Sequence, residues 1–202
     1  WDDVERIMNL PWQGQQGRVY QVNLCAIDSG DRTDEVYEFV AMNQEWAVPV
    51  KGSSNPLLSR YRISTIDKVN SKAYGMRLYL VDGAQYKDMI AGRMKKPNGT
   101  GSWMVYKGCD RDYAEQICAE EKVIEKRGGR DVEVWRLKSS HASNHYLDAE
   151  VYAALAADLL HVRYLNANQT PGTPQPQPKP VEQNDFLKTG DSWLRNKGGW
   201  IR

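Results

Sequence analysis

Cysteine is scarce in this 202-residue chain, and its scarcity removes several architectures at once. Cys25, Cys109 and Cys118 lie too far apart for a zinc ribbon, which pairs its cysteines two to four residues apart, and are too few for a disulfide framework. Long apolar runs are missing as well. No stretch approaches the roughly 20 residues a membrane helix needs, and no charged-then-apolar leader is present, so neither spanning nor secretion is expected. Charge imbalance is the third thing lacking, since 27 basic residues against 26 acidic ones leave a formal charge of +1. Binding to a polyanion would therefore have to come from local patches, such as Lys87, Arg93, Lys95 and Lys96 or Arg60, Arg62, Lys68 and Lys72. There is no Walker loop and no other glycine-rich phosphate cradle.

What is present is an alternation of strand-like and helix-like segments, which predicts an α/β domain. Val22 to Asp28 is an apolar run that ends on a carboxylate and passes at once into the turn residues Ser29-Gly30. Open α/β sheets place their ligands beyond the carboxyl ends of their strands, so Asp28 stands where a site is expected. Cys25, within the run, reads as a small hydrophobe. Thr33 is expected to cap a helix whose inner stripe is Val36, Tyr37, Val40 and Ala41. Trp46 to Val50 reads as a strand, placed at an edge or a strand end by Pro49.

Farther on, the pattern predicts a strand or hairpin arm within 60–69 and a strand over 76–81 that stops at Asp82-Gly83. A helix running to Met94 and a short strand over Trp103-Met104-Val105-Tyr106 follow. The spacing of Tyr113, Ile117, Val123 and Ile124 predicts a helix from Asp112 to Lys126, ended by Gly128-Gly129. A half-buried strand is expected over 132–137. A largely apolar helix is expected from about Asn144 to Leu165, with Asp148 near its start. At the beginning of the chain, Val4, Ile7 and Met8 share one helical face, and Asp2 and Asp3 suit a helix start. Trp12, Trp46, Trp103 and Trp135 are expected in the core or at its margins.

The strand end Ile27-Asp28-Ser29-Gly30, the following Thr33-Asp34-Glu35-Val36-Tyr37-Glu38-Phe39, Val50-Lys51-Gly52 and Leu147-Asp148 with Val151-Tyr152-Ala153 together resemble the nuclease domain of the large terminase subunit of tailed bacteriophages, in its lambda-like gpA branch. The resemblance runs from about Trp1 to Leu165. It implies an RNase H-like (RuvC-like) mixed sheet flanked by helices. It also implies divalent-metal-dependent cutting of concatemeric double-stranded DNA during genome packaging in the host bacterial cytoplasm, with a small terminase subunit and a portal protein as partners.

On that reading Asp28 and Asp148 are catalytic residues and ligands of a two-metal Mg²⁺ or Mn²⁺ site, because such hydrolysis uses hard oxygen ligands around paired ions. The family's first metal-binding acid lies on an earlier strand that nothing before Asp28 matches. The chain also begins on Trp1, so an upstream ATPase motor and the first nuclease strands are expected to precede it. Glu150 is a poor third ligand, being two helix positions from Asp148. Lys51, Lys87, Asn144 and His145 are candidates for contacts to the DNA backbone.

Beyond Asn166 the composition turns to Thr170-Pro171-Gly172-Thr173-Pro174 and further prolines. Three parts are therefore expected: a nuclease domain over 1–168, a Pro-rich linker over 169–182 and a docking tail over 183–202 carrying Phe186, Trp193 and Trp200. Two other functions compete: a RuvC-like junction resolvase using the same acids, and a non-catalytic remnant that docks on the portal or another packaging component.

Overall fold

The computed structural model describes residues 1–14, 17–99 and 101–165, and the Pro-rich linker and tail lie outside them. Its centre is a four-stranded sheet in the order β3-β4-β6-β5, built from β3 (Cys25–Asp28), β4 (Ala47–Gly52), β6 (Arg77–Val81) and β5 (Tyr61–Thr65). β3, β4 and β6 run parallel and β5 runs antiparallel to β6, so the sheet is mixed. Two further pairs are antiparallel: β1 (Trp12–Gln13) with β2 (Val19–Tyr20), and β7 (Glu120–Arg127) with β8 (Arg130–Leu137). Helices α1 (Asp2–Met8), α2 (Thr33–Met42), α3 (Gly83–Met94), α4 (Arg111–Ile117) and α5 (His145–Leu159) complete the fold, followed by a 3-10 turn at Val162–Tyr164.

Strand alternation decides what each side of the sheet buries. Val50, Tyr79 and Val81 point to one face, where they form a core with Tyr86 and Ile90 of α3, Ile117 of α4 and Leu147, Val151 and Leu155 of α5. On the other face Cys25, Ile27 and Ala47 pack with Val36, Phe39 and Val40 of α2 and with Trp46. Burial raises the Cys25 thiol above its usual range, in keeping with a packing role.

Several elements differ from the sequence expectation, each for an identifiable reason. β4 is an interior strand despite Pro49. Its pairing with β6 begins only at Val50, so the missing proline N–H interrupts no ladder there. Helix α2 is entered through Arg32 in the left-handed region (φ 47), and Thr33 is its first helical residue, donating its hydroxyl to the Ser29 carbonyl at 2.8 Å. The expected helix over 112–126 stops at Ile117, and the chain turns into β7. Gly128 and Gly129, both at positive φ, fold β7 onto β8 as a hairpin turn rather than ending a helix. Trp103 to Tyr106 has no strand partner and is irregular. The last long helix ends at Leu159 rather than Leu165, where His161 adopts φ 54. Trp46 is buried, whereas Trp12 is 49% exposed and lies outside the core.

Candidate active site

The parallel strands end together: Asp28 is the last residue of β3, Gly52 of β4 and Val81 of β6. Beyond β4 and β6 opens a groove of about 950 Å³, walled by the β7–β8 hairpin and by the start of α5, and Asp28 is not among its lining residues. Gly52, Asp82, Lys87, Glu120, Asp148 and Tyr152 are among its lining residues. Asp28 pairs in register with Val50, which puts both on the sheet face that α5 covers. Asp148 lies in the first turn of α5, where its charge also complements the helix dipole.

Tyr152 lies one turn beyond Asp148, on the same side of α5. Its phenol is held well above the ordinary tyrosine range by burial first, and then by the negative charges of Asp28 and Asp148. Asp28 is exposed, and its Oδ1 accepts the Gly30 amide at 2.9 Å, the geometry of an Asx turn. The neighbouring Ser29 is fully buried and anchors the strand end by donating to the Val50 carbonyl at 2.8 Å.

Asp148 is held by two donors. Lys87 Nζ lies 3.0 Å from its Oδ1, and Asn144 Nδ2 donates to its Oδ2 at 3.1 Å. Both donors also reach Glu120 Oε1, at 2.7 Å from Lys87 and 2.6 Å from Asn144. Sequence reading did not single out Glu120, because Glu120-Glu121-Lys122 looks like any solvated charge run. Its burial and its partners come only from the fold.

The other candidates are placed as follows. Lys51 is exposed and has no ion pair among the described residues. It follows Val50 in the strand and so projects to the opposite sheet face from Asp28. His145 is exposed as the first residue of α5. Glu150 is occupied by the Tyr113 hydroxyl of α4. Three of the four basic residues between 60 and 72 are paired with acids: Arg60 with Asp158, Lys68 with Asp34 and Lys72 with Glu38. Among the described residues, no three His, Cys, Asp or Glu side chains gather as a ready-made metal cluster. No described helix is long and apolar enough to cross a membrane.

Helix α5 is itself pinned at both ends. Tyr86 Oη donates to Asp158 at 3.1 Å and Arg60 Nη1 lies 3.3 Å from the same oxygen, so α3 and the residue just before β5 hold its far end while the Asp148 network holds its beginning.

A mixed sheet flanked by helices is consistent with a nuclease domain. The sequence model of the family described as terminase large subunit gpA, endonuclease domain, matches residues 1–169, and the chain belongs to that family. No curated protein and no solved structure matches it.

Proposed function

We propose that this domain is a divalent-metal-dependent endonuclease of RNase H-like architecture that cuts concatemeric double-stranded DNA during phage genome packaging. One observation carries the proposal: Asp28 ends β3 on the sheet face that α5 packs against, and Asp148, remote from it in sequence, lies in the first turn of α5. Membership of the terminase endonuclease family supports the reaction class.

The donor set suits a hard cation, because carboxylate oxygens favour Mg²⁺ or Mn²⁺. Asp148 and Glu120 share the single Lys87 ammonium, so this pair of carboxylates keeps one negative charge in excess. Asp28 and Asp148 would hold the ion, whose role when bound is to polarise the phosphodiester and lower the pKa of water. Mg²⁺ retains several waters, so two carboxylates serve one ion, and a second ion calls for a ligand beyond the described residues. Tyr152, one turn along α5 from Asp148, keeps its proton at neutral pH. Lys87 and Asn144 act on Asp148 first. Lys51 and His145 offer exposed groups for phosphate contacts, which give affinity without sequence preference. A small terminase subunit and a portal protein as partners, and the host bacterial cytoplasm as location, follow from the same proposal.

The test is nicking of supercoiled plasmid in Mn²⁺ or Mg²⁺. Asp28→Ala and Asp148→Ala should each lower cleavage by more than ~100-fold while the fold persists, since even the outer partners of metal ligands are worth about 10–100-fold. Wild-type cleavage by either variant would remove that residue from the metal site. A strong preference for four-way junctions over linear duplex would point to a resolvase instead.

A further inference from the structure

A carboxylate with a 5% exposed side chain needs compensation, and Glu120 receives it from two donors that both go on to Asp148. The result is a closed circuit. Glu120 Oε1 binds Lys87 Nζ at 2.7 Å, and Lys87 reaches Asp148 Oδ1 at 3.0 Å. Asn144 Nδ2 reaches Asp148 Oδ2 at 3.1 Å and returns to Glu120 Oε1 at 2.6 Å. Each oxygen of Asp148 is thus held by a donor that Glu120 also holds. The circuit joins α3, the start of β7 and the start of α5, three elements with no covalent reason to keep a fixed spacing.

Local rules are set aside to build it. Asn144 occupies the N-cap position of α5, where asparagine ordinarily caps the helix, yet its side chain makes no capping bond and bridges two carboxylates instead. Between two carboxylates only the amide NH₂ can serve, since both neighbours are acceptors. Departures of this kind collect at functional sites. Lys87 also lies closer to Glu120 than to Asp148, so the buried acid takes the larger share of the ammonium.

We infer that Glu120 is a positioning residue for this nuclease: through Lys87 and Asn144 it fixes both oxygens of Asp148, and it keeps the Lys87 ammonium from pairing with Asp148 alone. The inference rests on the reading of Asp148 as a metal ligand. Without Glu120 two effects act in the same direction. Lys87 keeps a single carboxylate partner and competes with an incoming cation for it, while Asn144 loses the anchor that orients Asp148. A purely architectural role for Glu120 would lower the melting temperature and leave the cation affinity of the folded protein unchanged.

The experiment uses the 202-residue chain with Mn²⁺ as the probe, measured by isothermal titration calorimetry. Alongside it run thermal melting, plasmid nicking and the NMR signals of the Asn144 side-chain amide in metal-free protein. Glu120→Ala should bind Mn²⁺ about 10–100-fold more weakly, as expected for loss of a group that orients a ligand, and should move the Asn144 amide signals. Glu120→Gln, which keeps an oxygen acceptor, should recover most of the affinity. Glu120→Asp, one methylene short of both donors, carries the same test if the alanine variant does not fold, and should bind Mn²⁺ more weakly than wild type.

Wild-type Mn²⁺ affinity in a folded Glu120→Ala or Glu120→Asp chain, or a glutamine variant no better than alanine, would overturn the inference. If Asp148→Ala loses Mn²⁺ binding while Glu120→Ala retains it, this inference alone falls. If Asp148→Ala binds like wild type, or the wild-type chain does not bind Mn²⁺, the metal-ligand reading fails and this inference falls with it.

Discussion

Asp82 shows how much one side chain can carry at the end of a strand. It is buried, and it accepts from the Leu57 amide at 2.9 Å, the Gln85 amide at 3.1 Å and the Gln85 side chain at 3.0 Å, capping α3 while tying down the loop before β5. Burial alone would raise its carboxyl pKa, but the donors from Leu57, Gln85 and Ala84 outweigh it and hold the group below the usual aspartate range. A depressed acid binds fewer protons in the folded state, so its stabilisation is present at neutral pH and is lost as pH falls through the folded pKa. Asp82→Ala is expected to cost about 2 kcal/mol, the upper range for losing a cap, and to flatten the acid limb of the stability profile. Urea denaturation at pH 7 and at pH 3 checks both. Asp28 and Asp148 were legible as acids at element ends, whereas Glu120 was not, because its meaning lies in Lys87 and Asn144, on other elements.

Elements whose partners lie nearby in the chain were easiest to read, and the β7–β8 hairpin shows where that fails. Val123 and Ile124 fit a helical stripe as well as a strand, and Gly128-Gly129 fits a helix stop as well as a tight turn. Pairing decides: Val123 meets Val134 and Lys122 meets Trp135 across the ladder. Trp135 Nε1 donates to Asp88 at 3.0 Å, and Lys122 lies 2.8 Å from the same residue, so the hairpin is bound to α3 beside the groove. Gly129 has φ +78, where a β-branched residue is strained. Gly129→Val should destabilise the hairpin by about 1–2 kcal/mol, the usual cost of a left-handed residue with a Cβ. Chemical denaturation gives the energy, and a change in Trp135 fluorescence would locate it. An unchanged midpoint would mean the turn can flip at little cost.

At the scale of the whole molecule, the site depends on one core, in which Val50, Tyr79 and Val81 of the sheet meet Tyr86, Leu147, Val151 and Leu155. Asp28 and Asp148 project from the rims of elements that this core locks together. The composition beyond Asn168 is expected to add nothing to that core, since its prolines and polar residues offer little apolar surface to bury. Deleting residues 169–202 should therefore leave the melting temperature and plasmid nicking unchanged. A lower melting temperature would show that Trp193 or Trp200 packs on the domain.

The sequence by itself determined the α/β class, the strand that ends on Asp28, the helix that begins near Asp148 and the family these segments share, because each is written in local periodicity and turn chemistry. Only the tertiary structure decided that Pro49 sits in an interior strand, that 120–137 is a hairpin, and that Lys87 and Asn144 each touch both Glu120 and Asp148. The physical reason is range. Backbone propensity acts over a few residues, whereas ladder pairing, burial and charge pairing join groups that are neighbours only once the chain has folded.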